Sequence, residues 1–70
     1  MGFNPEKAYL KIKKDLINDG HKSEIHKNVF GVYTMKVIGT PSKVKAGKWM
    51  DTFELFGYID IKNNIINFKV

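Results

Sequence analysis

Seventy residues carry twelve Lys, no Arg, seven acidic side chains and no Cys, for a formal net charge of +5. A chain this short makes one domain around one core and buries only about 60% of the surface its unfolded form exposes. Without cysteine, neither a disulfide nor a zinc site with thiolate ligands can staple it. The core must come from apolar side chains, and a 43% hydrophobic fraction with five Phe, three Tyr and one Trp supplies them. No apolar run approaches the ~20 residues that cross a bilayer. The start, Met1 to Glu6, lacks the charged-then-apolar pattern of a secretory signal. The expectation is a single domain over residues 1–70 in the reducing cytoplasm. Met1-Gly2 is also what a cloning remnant leaves, so the chain is open to being one module of a longer protein.

Asn4-Pro5-Glu6 opens the first predicted helix. Asn caps by accepting a backbone N–H, Pro lacks the N–H that would have no partner at the first helical position, and Glu faces the positive end of the helix dipole. Tyr9, Ile12 and Leu16 recur at helical spacing, with Lys7, Lys11, Lys14 and Asp15 mainly on the other side, and Gly20 stops the run. A helix is predicted from about Pro5 to Asp19. Ser23 then offers a second cap before Glu24, and the stretch to Ile38 stays open. Ile25, Val29, Val32 or Tyr33, and Val37 make a helical stripe, whereas Val29 to Thr34 is rich in strand formers, and Gly31 costs about 1 kcal/mol inside a helix.

Gly39-Thr40-Pro41-Ser42 is a break, with Thr40 or Ser42 available as the next cap. From Lys43 to Phe56 the apolar residues Ala46, Trp49, Met50, Phe53 and Phe56 recur at three- and four-residue steps, and Gly57 stands where a left-handed cap belongs. A helix is favoured here over a strand that would alternate Trp49, Phe53, Leu55, Gly57 and Ile59, because Asp51 interrupts that face. Tyr58 to Ile61 reads as a strand, Lys62-Asn63-Asn64 as a turn and Ile65 to Val70 as the returning strand, with Ile66, Phe68 and Val70 on one face.

Helix, helix, a tight turn, helix, Gly and a hairpin make an α+β chain that resembles the winged helix-turn-helix superfamily. The likeness rests on Gly39-Thr40-Pro41-Ser42 and on Trp49 through Ile59, about half the chain. It departs from the pattern in a turn that is one residue too long and in a second helix rich in β-branched residues. The resemblance implies a three-helix fold with a C-terminal β-hairpin wing, a third helix that enters the major groove of DNA, and a wing that touches the backbone. Carried over by position, the nucleic-acid contacts fall to Thr40, Ser42, Lys43, Lys45 and Lys48 on and before the third helix, and to Lys62, Asn63 and Asn64 at the wing tip.

The charge distribution points the same way. Thr40 to Met50 holds three Lys and no acid, while Asp51 and Glu54 follow on the half expected to point back into the protein. Each feature also has a plainer explanation. Lysines on an exposed helix keep a protein in solution, Trp49 suits a core better than a base-stacking platform, and Lys62 to Asn64 are sufficient as a hairpin tip. Absence of Arg removes the commonest bidentate contact to guanine, so binding with little sequence preference is the expectation.

Other chemistry finds little support. His21 and His26 are five residues apart, which does not stack them on a helix face, and Glu24 adds only a weak third metal ligand. No glycine-rich phosphate loop is present, Ser23 and Ser42 lack a base, and no paired carboxylates stand out. An enzyme is not expected, nor a cofactor. A DNA-binding regulator or replication-protein module of this size is expected to need a homodimer or a longer chain for specificity; its rival is an α+β protein-interaction domain that binds or blocks a protein partner. There Val29 to Ile38 and Trp49 to Ile61 are strands, and exposed Phe56 and Tyr58 anchor a partner.

Overall fold

The computed structural model describes residues 4–21 and 24–70. Its elements run α1 (Pro5–Asn18), β1 (Glu24–His26), α2 (Lys27–Ile38), α3 (Lys43–Leu55), β2 (Ile59–Lys62) and β3 (Ile65–Phe68). The fold is α+β, with three helices and a C-terminal hairpin after the third, as the sequence leads one to expect. The expected cap at Ser23 lies outside the described residues.

α1 starts as its sequence dictates: the Asn4 side chain accepts the Glu6 N–H at 2.9 Å, Pro5 opens the helix and Asp19 closes it. Ala8, Tyr9, Ile12 and Leu16 are its buried stripe. The stretch left open resolves into two elements. Glu24–His26 is a strand, so Ile25 is buried in the sheet and belongs to no helical stripe. His26 then caps α2, its Nδ1 accepting the Asn28 N–H at 3.1 Å. α2 fully buries Phe30, Gly31 and Thr34; of the predicted helical stripe, Val29, Tyr33 and Val37 are partly buried against the core, while Val32 is exposed. Thr34 is the one buried polar residue among those described, and its hydroxyl donates to the Phe30 carbonyl at 2.8 Å. Tertiary burial of Phe30 overrides the local strand preference of this segment. The rival meander of strands packed on the first helix is thereby overturned, since Val29 to Ile38 and Trp49 to Leu55 are helical.

The sheet order is β1-β3-β2, antiparallel throughout. Ile66 of the central strand stands opposite Ile25 on one side and Ile61 on the other, while Ile59 faces Phe68. These side chains share one face, because residues two apart on a strand point the same way. That face closes the core formed by Tyr9, Ile12, Leu16, Phe30, Met50 and Phe53. Val70 does not continue the face as expected; it is 61% exposed. Asn63 and Asn64 both have positive φ, 53° and 65°, the pair a two-residue type I′ hairpin turn requires.

Two glycines separate backbone cost from side-chain space. Gly39 caps α2 at φ 79°, and Gly47 lies inside α3; a Cβ on either meets nothing within 4 Å. Gly39→Ala is expected to cost about 1 kcal/mol through left-handed strain, and Gly47→Ala to gain about 0.5–1 kcal/mol through helix propensity. Urea denaturation of the two variants checks this; equal shifts in the same direction would refute it.

Candidate nucleic-acid interface

α3 begins at a layered cap. Thr40 Oγ1 accepts the Ser42 N–H at 3.2 Å, and Ser42 Oγ accepts the Lys45 N–H at 3.3 Å. Both hydroxyls of the predicted site therefore use a lone pair locally. Each keeps its proton to donate outward, because a hydroxyl carries one donor besides its acceptor pairs.

The buried side of α3 is Ala46, Met50 and Phe53, with Trp49 half-buried beside them. Trp49 packs on Phe53, ring centroids 5.8 Å apart. At about 100° per residue, the side opposite this stripe carries Val44, Lys48, Asp51 and Leu55. Lys43, Lys45 and Lys48 are all exposed and make no ion pair among the described residues. They do not form one row. Lys45 and Lys48 lie about 60° apart around the axis, while Lys43 lies about 140° from Lys48.

Lys43 looks instead onto the groove between α2 and α3, which Lys27, Gly31, Met35 and Met50 also line. Lys27 was not singled out in the sequence, yet it links the two predicted parts. Its backbone N–H donates to the Asn64 carbonyl at 2.8 Å, fastening the hairpin tip to the first residue of α2. The signal that could have found it is the dipeptide Lys27-Asn28 after a cap, but the cap is a histidine, and the strand before it is three residues long.

At the tip, Lys62 is exposed and pairs with Asp60 at 3.9 Å, a solvent-screened contact that leaves its charge available. Asn63 and Asn64 are exposed as well. The two α3 acids part company: Asp51 turns outward against expectation, whereas Glu54 reaches back to the sheet. Asp51 is exposed on the outer stripe, and Glu54 is exposed while its carboxylate accepts the Ile61 N–H at 3.3 Å. Tyr58, expected as an exposed anchor, stacks on Tyr9 with ring centroids 5.2 Å apart; Phe56 remains 54% exposed.

His21 packs edge-on against Tyr33, and His26 is occupied as a cap. Among the described residues no three His, Asp or Glu side chains converge as metal ligands. No described helix is long and apolar enough to cross a membrane. No family model, curated protein or solved structure matches the chain.

Proposed function

We propose that this chain is a winged helix-turn-helix module that binds duplex DNA without catalysis, as a small regulator or as part of a replication protein. The observation that carries the reading is the exposed N-terminal half of α3, where Lys43, Lys45 and Lys48 have no ion-pair partner among the described residues and the positive helix end adds to their charge. The element order supports it, since α3 is followed directly by a hairpin whose tip carries Lys62, Asn63 and Asn64. Lys27, fastened to that tip, extends the basic surface to the start of α2. The lysines neutralise phosphates and release counterions, while Thr40 and Ser42 donate to phosphate oxygens. With Lys as the only basic side chain, affinity exceeds sequence preference.

The test is binding to labelled random duplex across a salt series. Binding in the micromolar range is expected, and changing Lys43, Lys45 and Lys48 together to Ala should flatten the log–log salt slope by about 2.7, at roughly 0.9 per phosphate contact. No binding at low salt, or an unchanged slope in a folded triple variant, would sink the proposal.

A further inference from the structure

The outer stripe of α3 has an internal symmetry that DNA binding does not call for. Val44 is 70% and Leu55 82% exposed, and Lys48 and Asp51 lie between them, both exposed. The steps from Val44 to Lys48, to Asp51 and to Leu55 are four, three and four residues. That is the alternation of a coiled-coil seam, whose positions repeat every 3.5 residues on average. The stripe also reads as its own reverse complement. Laid antiparallel on a second copy, with the two-fold axis between residues 49 and 50, Val44 meets Leu55 of the other copy and Lys48 meets its Asp51. Every layer is then matched, two apolar and two ionic.

We infer that α3 is a self-association surface and that its partner is a second copy of this chain, paired antiparallel through Val44, Lys48, Asp51 and Leu55. Charge complementarity selects this occupant. Among the described residues Lys48 and Asp51 form no ion pair, although they are three residues apart on one helix. The wider charge division agrees: the lysine half of one α3 comes to lie on the half of the other that carries Asp51 and Glu54. Antiparallel pairing also sets each positive helix end beside a negative one. A two-fold contact must be self-complementary in this way, residue i meeting j and j meeting i. Gly47 flanks the seam and has no neighbour within 4 Å of a Cβ position, which lets a second helix come close. The central ion pairs contribute little net energy but fix register, as polar residues at seam positions do. Self-pairing covers the face of α3 that a DNA groove would receive, so the two modes exclude one another.

The seam spans about 17 Å, eleven residue steps, so a weak dimer is expected. Sedimentation equilibrium on the whole chain at low ionic strength, from about 10 μM to about 1 mM, reads it directly. Wild type should pass from monomer to dimer. K48D sets two acids against two acids and D51K two lysines against two lysines, so each alone should raise the dissociation constant about tenfold or more. Mixed one to one, the two variants restore opposite charges in both layers and should associate as wild type does; the double variant K48D/D51K should also recover. Both side chains are exposed, and circular dichroism verifies that the fold persists. A wild type that stays monomeric throughout, single variants that associate like wild type, or a mixture that stays monomeric would each overturn the proposal.

Discussion

Replacing Phe53 by Ala is expected to remove about 3–5 kcal/mol of stability, the range for a fully buried aromatic ring. Phe53 is fully buried and is the hub of the aromatic core. Its ring centroid lies 5.9 Å from Tyr9, 6.2 Å from Phe30, 5.8 Å from Trp49 and 6.4 Å from Tyr58. Those partners come from α1, α2, α3 and the segment leading into β2, so one truncation loosens every layer at once. A domain of 70 residues holds on the order of 4–10 kcal/mol in total, so the variant should lose roughly a third of its stability or more. Leu55, two residues along the same helix, is the control: it is 82% exposed, and Leu55→Ala should change monomer stability by no more than about 0.5 kcal/mol. Urea titration followed by circular dichroism at micromolar protein compares them. A Phe53→Ala midpoint close to that of Leu55→Ala would show that the core is not organised around this ring.

Alkaline pH should destabilise the fold through Tyr9. The side chain is fully buried, and its hydroxyl donates to the Val70 backbone oxygen at 2.7 Å. Burial pushes its phenol up to about 12, from an ordinary value of 10.0. The unfolded chain therefore gives up this proton first. The stabilising contribution is complete below about pH 10 and is lost as pH rises through about 12, because the unfolded state binds fewer protons across that interval. Tyr33 drifts in the same direction, raised by its hydrogen bond to Asp19, so the comparison must isolate Tyr9. Tyr9→Phe has no proton to lose. It should be less stable than wild type near neutrality by about 1 kcal/mol, for the missing hydrogen bond, yet show a flatter fall between pH 10 and 11.5. Urea midpoints over that range decide the matter; parallel curves would mean that Tyr9 does not titrate across unfolding.

Where the chain announces its structure, it does so at element ends. Asn4-Pro5-Glu6 opens α1, Ser42 caps α3 with Gly57 just beyond it at φ 79°, and Asn63-Asn64 turns the hairpin. These signals act within four or five residues and survive without tertiary context. β1 could not be read so. It is three residues long, and what makes it a strand is pairing with Asn67, Ile66 and Ile65, some forty positions further on. α2 was open for the complementary reason: its residues prefer strands, and Phe30 settles in a helix only because Phe53 and Phe68 lie within ring contact of it. Of the candidate site, the residue types were legible and their grouping was not. Lys43, Lys45 and Lys48 look like one cluster along the sequence, yet the angular step of a helix turns Lys43 toward α2. Lys27 joins it there only through the hydrogen bond to Asn64 and the shared groove.

The contact between Glu54 and Ile61 also bears on what happens at high concentration. β2 is an outer strand of the sheet, and an outer strand offers free backbone groups on which a foreign strand can grow. Opposite residues that exchange no ladder bonds turn their amides outward, and Ile61 is such a residue: its N–H leaves the sheet and finds the Glu54 carboxylate at 3.3 Å. An incoming chain would have to displace a charged acceptor to use that donor, and would then lie beside the carboxylate and the charged pair of Asp60 and Lys62. The same helix that offers its outer stripe to a second copy thus guards the sheet edge beside it. Assembly is steered toward a closed helical pair and away from open-ended strand addition, the route that ends in fibres.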